Sequence, residues 1–139
     1  MTKFKFRLQK VLEHRERLEQ DAKEAYLDAR VKHLEAEAGL LAIQRRREES
    51  LSQPSDGLQA RVVLELYLFR LDGEERCQVL VIEALETEEE SLRLEWIERR
   101  RELQAIQKLR DHALVEWELE VTRKEQGELD EWAVLRSAA

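Results

Sequence analysis

A chain of 139 residues in which 40% are charged and only 6% aromatic lacks the side chains for a broad globular core, so a thin apolar seam between helices is the expected interior. Its formal net charge of −7 opposes general nucleic-acid binding, which needs a net basic face, and no apolar run approaches the roughly 20 residues of a membrane span. The single Cys77 excludes an internal disulfide, and with no export signal at the start the expected location is the cytoplasm.

From the N-terminus, apolar positions step Phe4, Leu8, Val11, then Leu18, Ala22, Ala25 and Ala29, with Arg15 filling one step. That alternation of fours and threes averages the coiled-coil period and predicts a first helix over about residues 3–51. Stepping by four at Ala29 continues the seam through His33, Ala36, Leu40 and Ile43, a stutter that locally unwinds the supercoil. His33 reads as a seam or flank residue, because its sequence neighbourhood holds no acidic and His cluster at ligand spacing. The lysines at 3, 5 and 10 with Arg7 make the start basic. Arg45, Arg46 and Arg47 complement the negative end of the first helix.

The only proline stands in Ser52-Gln53-Pro54-Ser55-Asp56-Gly57, which predicts a turn over residues 52–57. Asp56 or Ser55 is placed to cap the second helix, read over about residues 58–136, with Val62, Val63, Leu66 and Phe69 as its first stripe. Val- and Leu-rich segments on either side of Asp72-Gly73 could be strands, but two strands alone are marginal, so a helix with a kink at Gly73 is preferred. Val79, Ile82 and Leu85 then lead into Leu92, Trp96, Leu103, Ile106, Leu109, Ala113, Trp117 and Val121 at helical spacing. Glu86, Glu88, Glu89 and Glu90 read as a solvated acidic face, and the arginines at 99–101 as lying on a solvated face of their own.

The fold class is therefore all-α: one antiparallel two-helix coiled-coil hairpin, residues 1–139, with a longer C-terminal helix. At 1.5 Å per residue the arms are roughly 75 and 120 Å long. A turn centred near residue 55 makes facing residue numbers sum to about 110, setting Phe4 near Ile106 and leaving the chain beyond Lys108 without a partner. That overhang carries Leu114, Trp117, Val121, Leu129, Trp132 and Leu135, an apolar stripe that marks an interaction surface or pairs with a second copy of itself. No Gly-rich phosphate loop, nucleophile–base pair or metal cluster is evident, so no enzyme, cofactor or metal is expected.

The overhang also carries Leu109-Arg110, Trp117, Glu125-Gln126, Leu129-Asp130-Glu131-Trp132-Ala133 and Arg136, which resemble the C-terminal pattern of the FliJ family of flagellar type III export proteins. The opening Phe4-Lys5-Phe6-Arg7-Leu8-Gln9-Lys10-Val11-Leu12 with Arg15-Glu16 resembles that family's start, and Tyr67, Leu71 and Gln78 match its motif after the turn. The resemblance implies a non-catalytic stalk, an elongated monomer, that joins the hexameric export ATPase FliI to the membrane gate protein FlhA. It implies an ATPase-docking surface at Trp117, Val121, Leu129, Trp132 and Leu135. It sets Tyr67, Leu71 and Gln78 toward the gate, unless they pack in the seam. The location implied is cytoplasmic and peripheral, at the export apparatus. Trp132, Gly73 and the acidic charge balance depart from the family pattern, which leaves open an injectisome relative or a paralogue working with another ATPase. An escort chaperone for export substrates or their chaperones, and a homodimerising coiled coil, fit the same exposed stripe.

Overall fold

The computed structural model describes residues 3–138; Met1, Thr2 and Ala139, which the expected single unit includes, lie outside the described residues. Two long helices, α1 (Gln9–Ser52, 44 residues) and α2 (Leu58–Ala138, 81 residues), pack as an antiparallel all-α hairpin. No strand occurs among the described residues, and α2 runs unbroken through Gly73. The chain divides into two units, one of residues 3–20 with 98–138, the other Asp21–Ile97.

In the first of these units the helix starts later than the 4/3 spacing predicts. Phe4, Phe6 and Leu8 are half-buried while Lys5 and Arg7 are exposed, so burial alternates with a period of two along a segment that is non-helical to Phe6 and turns at Arg7 and Leu8. Helical bonding begins where the Gln9 N–H donates to the Phe6 carbonyl at 3.2 Å and the Leu12 N–H to that of Leu8 at 3.0 Å. Leu12, not Val11, is the buried residue of this stretch, and Ile106 is buried on α2 in the same unit. Arg15 replaces an apolar step by donating to the Glu102 carbonyl at 3.0 Å.

In the unit Asp21–Ile97 the seam is formed by Ala29, Ala36 and Ile43 on α1 against Leu71 and Ile82 on α2, with Tyr26 stacked on Trp96 at 5.5 Å. Arg47 pairs with Asp72 and, at 2.6 Å, with Glu75, and Arg46 meets Glu74 at 3.5 Å. These arginines therefore bind the facing helix rather than only the end of their own. Facing numbers here sum to 119 for Arg47 with Asp72 and 122 for Tyr26 with Trp96, not to the expected value of about 110. The difference of about nine residues corresponds to roughly 14 Å of helix. Residues 53–57 can bridge it because extended backbone covers roughly 3.3 Å per residue.

That offset carries the opening turns of α2 past the end of α1. Leu58, Val62, Val63 and Leu66 are exposed, as is Phe69 on the outward face, so the predicted first stripe is not the seam. The seam enters instead through half-buried Leu64, Tyr67 and Leu68 to Leu71. Gly57, at φ 90°, accepts the first α2 bond from the Arg61 N–H and so occupies the cap position expected of Asp56 or Ser55.

Candidate functional site

In the unit of residues 3–20 and 98–138, the Phe4 ring lies 5.8 Å from that of Trp117, tilted by 56°, and the Arg110 guanidinium sits over the Phe4 ring at 5.8 Å. Trp117 is therefore half-buried against the N-terminal segment, and the free part of α2 begins about a dozen residues later than the sequence count implied. Val121 is also half-buried, and every residue from 122 to 138 is exposed.

The free part continues the packed part on one face. At about 100° per residue, Leu103, Ile106, Ala113, Trp117 and Val121 share the face turned to the N-terminal arm, and Trp132 and Leu135 return to it. Leu129 lies at its edge, and Val134 points elsewhere. Among these, Leu129, Trp132 and Leu135 are 66, 60 and 71% exposed, so the surface presents apolar anchors largely open to solvent. The Arg136 guanidinium lies 5.1 Å over the Trp132 ring, which stays mostly exposed.

The three residues expected toward the gate are placed differently. Leu71 is fully buried, and the Gln78 amide donates to the Ala36 carbonyl across the hairpin at 2.7 Å, so both serve the seam. Tyr67 is half-buried and lines a shallow depression with Pro54, Ser55, Val63 and Leu64, beside the connector.

A third cluster lies in the unit Asp21–Ile97. The His33 Nδ1–H donates to Glu89 Oε2 at 2.5 Å, since a carboxylate can only accept. Nε2 stands 3.1 Å from Glu37 Oε1 and 3.4 Å from Glu86 Oε1. It is enclosed and aligned with neither as a hydrogen bond. The bond to Glu89 does most to raise the imidazole pKa above its ordinary value; burial opposes it, and the charges of Glu37, Glu89 and Glu86 add to it. Glu89 is thus partly buried against His33 rather than a member of a wholly solvated acidic face, whereas Glu90 turns outward to bind Arg93.

The family model described as Flagellar FliJ protein matches residues 4–139, nearly the whole chain. The chain belongs to the FliJ family. Searches of curated proteins and of solved structures returned no match. Membership makes this FliJ protein a component of the flagellar type III protein export machinery, within a family of non-enzymatic, coiled-coil proteins. Among the described residues no helix is long and apolar enough to cross a membrane. Sequence reading found the exposed C-terminal residues of this FliJ chain, but not the Phe4–Trp117 clasp or the His33 cluster. The available signal was the period-two run Phe4, Phe6, Leu8, which a 4/3 count absorbs.

Proposed function

We propose that this chain is a non-catalytic stalk that binds the hexameric FliI-like export ATPase through the C-terminal face of α2 and couples it to the FlhA-like export gate. The observation that carries the reading is the continuation of the seam face beyond Val121: the positions that bury Ile106 and half-bury Trp117 recur as exposed Trp132 and Leu135. A helix face of this kind suits insertion into an apolar groove, and Trp is a strong anchor residue at such contacts. Leu129, Trp132 and Leu135 are the docking residues in this reading, with Trp117 and Val121 joining the docked face to the packed one.

A two-helix hairpin cannot match a six-fold ring, so its contacts with the six subunits are unequal. That inequality offers a way to promote ring closure or stepwise hydrolysis without contributing an active-site group. Beside the connector, Tyr67 and the exposed Val62, Val63 and Leu66 are the surface available to the gate, with Leu71 and Gln78 holding the seam beneath. The protein works at the cytoplasmic side of the export apparatus, held there by its partners.

The test is the ATP hydrolysis rate of the export ATPase from the same genome, with and without this protein. Stimulation is expected, and the double change Trp132→Ala with Leu135→Ala is expected to reduce it at least tenfold in half-maximal concentration while helicity by circular dichroism is retained. Undiminished stimulation by the double variant would remove the docking assignment. A stable dimer in sedimentation, dissociated by the same changes, would reassign the face to self-association.

A further inference from the structure

The His33 cluster is more elaborate than hairpin packing requires. His33 and Glu37 are one helical turn apart on α1, and Glu86 and Glu89 are one turn apart on α2, so two elements converge on one imidazole. The hairpin elsewhere fills its seam with Ala29, Ala36 and Ile43, which need no such arrangement.

We propose that His33 Nε2 and the carboxylates of Glu37 and Glu86 form a binding site for a first-row divalent cation of the Zn2+ type, which ties α1 to α2. The three donor atoms lie within 4.8 Å of one another. Tetrahedral ligands about 2.0–2.1 Å from zinc are about 3.4 Å apart. The observed separations of 3.1 and 3.4 Å from Nε2 to the two oxygens match such an edge length. Nε2 is enclosed without an aligned hydrogen-bond partner and faces both carboxylates, so a cation bound there would have all three groups as ligands. The fourth position falls to water.

The outer partner agrees. Metal-binding imidazoles commonly donate their other N–H to a carboxylate, which fixes the tautomer and strengthens the ligand; the Nδ1–H bond to Glu89 at 2.5 Å does this for Nε2. The donor set selects the ion class. Imidazole with carboxylates suits zinc and its neighbours, whereas magnesium prefers oxygen ligands and retained water. A proton is the competing occupant of Nε2, so acid weakens the site. The cation would link the two helices, since two of the ligands come from α1 and one from α2.

The experiment is calorimetric titration of the chelator-treated full chain with Zn2+ and, separately, Mg2+ at pH 7.5, for the wild type, His33→Asn, Glu86→Gln and the control His14→Asn. Glu86 is exposed, so its amide variant keeps the fold; equal helicity by circular dichroism verifies this for each variant. One Zn2+ per chain is expected, with at least tenfold weaker binding for His33→Asn and Glu86→Gln and unchanged binding for His14→Asn. Saturating Zn2+ raises the thermal unfolding midpoint of the wild type and not that of Glu86→Gln. No saturable Zn2+ binding, binding that survives His33→Asn, or Mg2+ binding of equal strength would each overturn the site.

Discussion

His33 is the side chain whose charge state couples most directly to the pairing of the helices. Glu37 faces it from α1, and Glu86 and Glu89 from α2; together they raise its pKa in the folded chain. A group that binds its proton more tightly when folded contributes fully below its unfolded value of about 6.5, and that contribution is lost as pH rises through the raised folded value. In chelator-treated protein, the unfolding midpoint should therefore fall as pH climbs from 6 to 8, and this slope should flatten in His33→Asn. A variant that retains the full slope would trace it to other groups. The cluster was invisible in the sequence for a specific reason. With facing numbers summing to about 110, His33 would meet Cys77, whereas the true offset brings it to Glu86 and Glu89. Local spacing placed Ala29, Ala36, Ile43, Ile82 and Ile106 on buried faces, but only the connector geometry decides which residues meet across the seam.

Within the elements, the closest approach is at Gly39. A Cβ there would lie 2.9 Å from the Gln78 Nε2, the atom that donates to the Ala36 carbonyl. Glycine within a helix costs about 1 kcal/mol relative to alanine, and a neutral hydrogen bond contributes about 1 kcal/mol. In Gly39→Ala the gain in helix propensity is offset by displacement of the Gln78 amide, so the change should be nearly neutral. Once Gln78→Ala has removed the amide, the same Gly39→Ala change should stabilise by about 1 kcal/mol. Chemical denaturation of the four proteins measures this coupling, and purely additive effects would show that Gly39 does not serve the Gln78 contact. The division into two long helices was legible from the 4/3 periodicity and the lone proline at 54. The start of α1 was not, because Phe4, Leu8 and Val11 satisfy a helical count while Phe4, Phe6 and Leu8 satisfy an extended one. Tertiary contact with Trp117 selects the second.

Across the whole molecule, stability is distributed unevenly, and the division coincides with the proposed docking face. Ile106 and Leu71 are almost completely enclosed, and truncating either to alanine should cost about 2–5 kcal/mol. Residues 122–138 are all exposed, with side-chain bonds such as Thr122 to Glu118 and Ser137 to Val134 lying along the same helix. An isolated helical stretch of that length is marginal in water, so its amides should exchange with solvent far faster than those around Ile82 and Ile106. Ending the chain after Val121 should accordingly alter the unfolding free energy of the remainder by less than about 0.5 kcal/mol. The same truncation should abolish stimulation of the export ATPase, because it removes Leu129, Trp132 and Leu135 together. The two readouts separate two claims. Marked destabilisation would mean that residues 122–138 support the hairpin, and the face would not be free. A stable truncated chain that still stimulates the ATPase would leave the face free but move docking elsewhere. Loss of stimulation from a hairpin of unchanged stability is the outcome expected of an apolar surface retained for a partner rather than for the fold.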